Sequence, residues 1–138
     1  MQNMFRDGTA AMIAVSCFFH YSIFFCSSST HPTKAAEARS RISSSVHSIF
    51  SSAAVLASFA IFPEPELWSP ASMILGTEIS DSFVFYIRLT VAFSVGYFLT
   101  DVMVMLRHRS VYSFDAMLHH AIILPFMLLA LAGNNCFV

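Results

Sequence analysis

From Phe83 to Leu106 the chain runs for 24 residues with Arg88 and Asp101 as its only charged side chains. At 1.5 Å rise per residue a helix of this length covers about 36 Å, enough to cross a hydrocarbon core about 30 Å thick. Three further stretches have the same character: Thr9 to Cys26, Val46 to Phe62, and Ala116 to Ala132. The expected fold is therefore all-α. It is a polytopic transmembrane bundle of four spanning helices (9–26, 46–62, 83–106 and 116–132) forming one domain over residues 1–138.

Composition points the same way. The chain is 57% hydrophobic and 11% charged, with mean hydropathy +0.68, whereas soluble domains carry about 25% charged residues. Net charge is −1 and the seven basic residues are scattered, so nucleic acid is not expected as a partner. Cys17, Cys26 and Cys136 show no CxxC spacing and read as apolar packing residues.

The first stretch follows Arg6 and precedes the small-residue run from Cys26 to Thr30, as a secretory signal would. It exceeds the roughly 7–15 residues of a signal core and carries His20 and Tyr21 inside it, so a retained helix is expected. Loop charges set the orientation. Lys34, Arg39 and Arg41 lie in the first loop and Arg107 and Arg109 in the third. The second holds Glu64, Glu66, Glu78 and Asp81 with no Lys or Arg. Basic loops stay cytosolic, which puts the N-terminus and the acidic loop outside or in the lumen. In that loop Pro63, Pro65 and Pro70 end the second helix, and Trp68 suits an interface.

Small residues at helical spacing mark close helix contacts in lipid. Ser44, Ser48, Ser51, Ala54 and Ser58 share one face of the second helix, and Ala92, Gly96 and Thr100 one face of the third. These two helices are expected to touch, directly or through the fourth.

Ionisable groups inside a span are costly and usually face the bundle interior. Arg88 lies near the lumenal end, within snorkelling reach of the interface. Asp101 is too short for that and needs a partner. Tyr97 and His108 lie along its stripe, His119 and His120 follow Asp115, a candidate N-cap, and His47 stands at the start of the second span. His47, Asp101, His119 and His120 thus fall within about two turns of one membrane surface. His119 and His120 point about 100° apart, so one is expected to face the centre and the other an adjoining helix. Pro125 cannot donate to the carbonyl of Ala121, which predicts a kink and a small polar pocket beside the pair. Two readings stand open: a buried hydrogen bond that fixes helix register, or a functional site. No HxxxH spacing, histidine box or GxSxG elbow occurs, so neither a metal site nor a serine hydrolase is expected.

Arg41, Ser44 and His47 form RxxSxxH; Gly96, Tyr97 and Asp101 form GYxxxD within SVGYFLTD; His119 and His120 form an HH pair. In order and spacing these resemble the TLC-domain family of endomembrane proteins, which includes the ceramide synthases, translocon-associated proteins and a group of small TLC-domain proteins. The acidic loop with its prolines and tryptophan is similar to the small group, and the resemblance runs from the first helix to the fourth. Ala38 stands where that group usually carries tryptophan, and the acidic stretch that follows the HH pair in ceramide synthases is not reached before Val138. Only the front part of the domain is expected here.

The resemblance implies a multi-pass protein of the endoplasmic reticulum or another endomembrane, acting in membrane lipid homeostasis. Arg41, Ser44, His47, Gly96 and Tyr97 form its polar lipid-binding cluster, and membrane lipids, with a homo-oligomer, are its partners. Its alternative is a ceramide synthase-like N-acyltransferase. In that case His119, His120 and Asp101 are catalytic, with acyl-CoA as co-substrate and no bound cofactor. A proton or ion pathway through Asp101 and the histidines is a third reading.

Overall fold

The structure, a computed structural model, describes residues 2–26, 34–61 and 81–132. They form four helices: α1 (Gln2–Cys26), α2 (Ala35–Ile61), α3 (Asp81–Arg107) and α4 (Phe114–Ala132). Each begins earlier than the expected span it matches, and three contain that span whole, while α2 covers the second as far as Ile61. The extension is largest in α2, which starts eleven residues before Val46 because Glu37, Arg39 and Arg41 continue the helix in polar sequence. Glu37 and Arg41, four residues apart, pair at 2.7 Å on its exposed surface. Ser113 accepts from the amide of Ala116 and starts α4, so Asp115 lies inside the first turn rather than capping it. The acidic loop with its prolines and Trp68, and Cys136, lie outside the described residues.

Among the described residues, Gly8–Cys26, Ser82–Arg107 and Phe114–Ala132 are long and apolar enough to cross a membrane. The fourth expected span lies in α2, where eight of 27 residues are serine. The large apolar side chains point outward: Phe18 is 76% exposed, Leu106 67% and Phe126 67%. Such a surface suits acyl chains, not water, and the chain is an integral membrane protein.

Helix α3 is the hub and packs against all three others, most extensively against α1. Gly8 lies near Phe85, Gly96 against Ile13 and Ser16, and Phe24 beside His108, so α1 and α3 run parallel. Ser40 meets Asp101 and Ala54 meets Tyr86, so α2 is antiparallel to α3. His120 meets Asp101 and Arg88 meets Leu131, so α4 is antiparallel as well. This up-and-down order gathers the end of α1, the start of α2, the end of α3 and the start of α4 at one end of the bundle.

The expected contact between α2 and α3 is present, but the small-residue face of α3 serves α1. A Cβ on Gly96 would come within 2.5 Å of Ser16 Cβ and 2.7 Å of the Ile13 carbonyl oxygen. Only glycine permits that approach. The close backbones then exchange side-chain bonds: Ser16 Oγ donates to the carbonyl of Phe93, Cys17 Sγ to that of Gly96 at 3.4 Å, and Thr100 Oγ1 to that of Cys17 at 3.4 Å. In α2, Ser48 is exposed, whereas Ser43, off the expected stripe, is buried. Ala92, Val95 and Leu131 form the apolar core, with Met12, Ile13 and Leu124 packed on it.

Arg88 does more than snorkel. Its Nη2 donates to the carbonyl of Leu131 at 2.7 Å, satisfying one of the acceptors left over in the last turn of α4. A cation in the third helix thus closes the fourth.

Candidate functional site

The gathered ends bring together polar groups from all four helices. Asp101, one turn beyond Tyr97 on α3, has a side chain 12% exposed. Its Oδ1 accepts from Ser40 Oγ of α2 at 3.3 Å, and its Oδ2 lies 3.1 Å from Nε2 of His120 on α4. That approach is a close charge contact without the alignment of a hydrogen bond, since Nε2 has no hydrogen-bonded partner by direction. The other ring nitrogen, Nδ1, donates to the carbonyl of Ala116 at 2.6 Å. His120 is held from both sides, by its own helix and by Asp101.

The expected divergence of the two histidines is realised. His120 is 6% exposed and faces the bundle, while His119 is exposed and touches the Phe98 ring at 5.9 Å between centroids. His119 therefore does not meet Asp101. His108 follows the end of α3 and turns toward Phe24, with ring centroids 5.4 Å apart, so it too leaves the Asp101 stripe. Pro125 lies on the exposed side of α4, away from the buried pair.

His47 stacks on Tyr97 with the rings 7° from parallel and centroids 4.1 Å apart, and its Nε2 lies 3.2 Å from Ser51 Oγ one turn further along α2. Tyr97 and Ser44 face each other across one cavity. Two members of RxxSxxH and the tyrosine of GYxxxD are thereby brought together across the α2–α3 interface. Gly96 belongs elsewhere, pressed against α1.

His20 was not expected among these residues, yet it is fully buried at their centre. Its Nδ1 lies 3.2 Å from Ser43 Oγ, and its ring meets those of Tyr97 and His47 at 5.1 and 5.6 Å. Helix α1 is thus a wall of the site. The signal was present: an imidazole deep in an apolar helix needs an interior partner. The buried pair and this aromatic array meet at Phe98, whose ring lies 4.8 Å from His120 and 5.4 Å from Tyr97.

Beside the array a cavity of about 420 Å³ opens between α2 and α3. Ser40, Arg41, Ser44, Ser45, Tyr97 and Asp101 line it. Hydroxyls form its wall, Arg41 stands at the exposed edge paired with Glu37, and Asp101 is its one carboxylate. Among the described residues no group of three or more His, Cys, Asp or Glu side chains is arranged to hold a metal ion. The arrangement suits recognition of a polar head carrying hydrogen-bond donors, with apolar helix surface alongside for a chain.

A family model described as the TLC domain matches residues 37–138. It spans nearly all of α2 and the whole of α3 and α4. The likeness thus begins after α1, and the His20 contribution lies outside it. Neither the curated proteins nor the solved structures compared with the chain give a match.

Proposed function

Because the chain belongs to the TLC-domain family, we propose that it acts in membrane lipid homeostasis by holding a lipid with its polar head in the cavity lined by Asp101. The observation that carries this reading is the position of Asp101, shared between Ser40 at 3.3 Å and His120 at 3.1 Å and open on one side to the polar cavity. A hydroxyl or amine on a lipid head can replace Ser40 as donor to the carboxylate, while Ser44, Ser45 and Tyr97 offer further partners. The residues are already organised, so little ordering cost attends binding. The basic residues at this end, Lys34, Arg39, Arg41, Arg107 and Arg109, argue for a cytosolic orientation with the N-terminus in the lumen of the endoplasmic reticulum.

The test compares cells expressing the chain with cells expressing Asp101→Asn at matched protein level, by mass spectrometry of total lipids. The wild-type chain shifts the lipid profile and the variant does not. Identical profiles from the two would overturn the reading.

The imidazole–carboxylate pair also favours a second reading, acyl transfer from acyl-CoA to a sphingoid amine. His120 has Nδ1 bound to the Ala116 carbonyl and Nε2 3.1 Å from Asp101, and the residues that line the cavity are Ser40, Arg41, Ser44, Ser45, Tyr97 and Asp101 rather than His120. His119 is exposed, on the far side of the pair. These positions support lipid handling over catalysis. Purified chain supplied with long-chain acyl-CoA and a sphingoid base is expected to form no amide. Formation of one, lost in His120→Ala, would replace the first reading. An ion pathway is supported less, because the polar array adjoins the apolar core of Ala92, Val95 and Leu131 instead of continuing through it.

A further inference from the structure

On the opposite flank of α3 from the Asp101 cavity, a second cleft of about 470 Å³ lies between the ends of α1 and α3. Its volume falls within the roughly 300–1,000 Å³ of ligand clefts. Phe24 and Val104, 2% and 5% exposed, form its floor, and Tyr21 and Phe25 form an aromatic wall with centroids 4.4 Å apart. Arg107 and His108 stand on its polar rim. Arg107 is exposed and makes no ion pair among the described residues. The cleft therefore pairs an apolar trough with an uncompensated cation, at the end of the bundle where five basic residues outnumber Glu37, Asp101 and Asp115.

We propose that this cleft binds an anionic phospholipid from the surrounding leaflet, with the phosphate against Arg107 and His108 and one acyl chain against Tyr21, Phe24 and Phe25. Charge complementarity selects the occupant. A guanidinium fixed at a helix end suits phosphate geometry, and His108 adds a ring N–H donor beside it. The trough runs from that rim along apolar helix surface, as a chain descending from a head at the interface does. A zwitterionic lipid carries a compensating cation on the same head and gains less from this rim. Basic residues near the membrane surface distinguish the two through the anionic leaflet's charge.

The test uses the purified full chain in nanodiscs of phosphatidylcholine or of an equimolar phosphatidylserine–phosphatidylcholine mixture, followed by native mass spectrometry of retained lipid. Phosphatidylserine is retained over phosphatidylcholine by a factor on the order of ten. The preference falls to near parity in the double variant Arg107→Gln/His108→Gln. It persists in Arg109→Gln, which removes a neighbouring charge outside the cleft, and in Ser40→Ala, which alters the Asp101 cavity. Equal retention of both lipids by the wild-type chain would overturn the proposal. So would an Arg109→Gln loss as large as that of the double variant, because the preference would then come from diffuse surface charge. Phosphatidylserine preference can fail while the Asp101-dependent lipid shift persists, so the two readings stand or fall separately.

Discussion

Replacing Gly96 by alanine strikes the contact on which the bundle depends. The added methyl would sit 2.5 Å from Ser16 Cβ, 2.7 Å from Ser16 Oγ and 2.7 Å from the carbonyl oxygen of Ile13. A rotamer change can move the hydroxyl. It cannot move the Cβ or the carbonyl, which belong to the backbone frame of α1, so the helices must separate. Overpacking of this kind costs about 1–3 kcal/mol. Separation also weakens the three bonds from Ser16, Cys17 and Thr100 across the interface, each worth about 0.6 kcal/mol in membrane bundles. Alanine returns about 1 kcal/mol through its helix propensity. The net expectation is a loss of about 2 kcal/mol, measured as a shift in reversible unfolding in mixed micelles of mild detergent and dodecyl sulfate. Ser16→Gly in the same chain removes two of the three clashes and should recover part of the loss. A Gly96→Ala protein within about 0.5 kcal/mol of wild type, the range of substitutions that touch nothing, would refute the close approach of α1 to α3.

Three further substitutions separate the roles of the polar residues. Asp101→Ala removes the carboxylate beside His120 Nε2, leaves Ser40 without its acceptor and should cost about 1–3 kcal/mol in the same unfolding assay, whereas His119→Ala should stay within about 0.5 kcal/mol. Tyr97→Phe keeps the stack on His47 and removes only a hydroxyl on the cavity wall, so its expected effect stays within about 0.5 kcal/mol. Arg88→Met frees the carbonyl of Leu131, so amide exchange should accelerate in the last turn of α4 and not at its start; uniform acceleration along α4 would speak against the cap.

Helix number, order and class were legible because a run of apolar residues as long as Phe83 to Leu106 has few other ways to satisfy its backbone. The meeting of Asp101 with His120 was legible for a related reason. An ionisable group inside a span needs a partner, and loop lengths put both residues near the same surface. Which of two adjacent histidines turns inward was not, because a 100° step leaves the choice to packing. The partner of the Ala92–Gly96–Thr100 face was also hidden. Small-residue spacing says that a helix approaches closely but does not say which, and α1 carries its complement in Ser16 and Cys17 without a repeated small pattern. The position of His108 was misjudged because stripe arithmetic assumes a helix that continues, and α3 ends at Arg107.

The placement of His20 changes what the polar cluster is. With α1 as an anchor, the groups on α2, α3 and α4 would border lipid on their open side, and an imidazole there would be exposed to acyl chains. Instead α1 packs along α3 and inserts His20 beside His47 and Tyr97, with Ser43 meeting its Nδ1. The four-ring group of His20, Phe93, Tyr97 and His47 is therefore walled by protein, and the Asp101 cavity opens between α2 and α3 rather than across the α1 side. A lipid head reaching Asp101 must enter along that interface, past Ser44 and Ser45, where the serine content of α2 supplies hydroxyls at the cost of apolarity. The feature that makes α2 the least lipid-like helix is the one that makes it the polar wall of the Asp101 cavity.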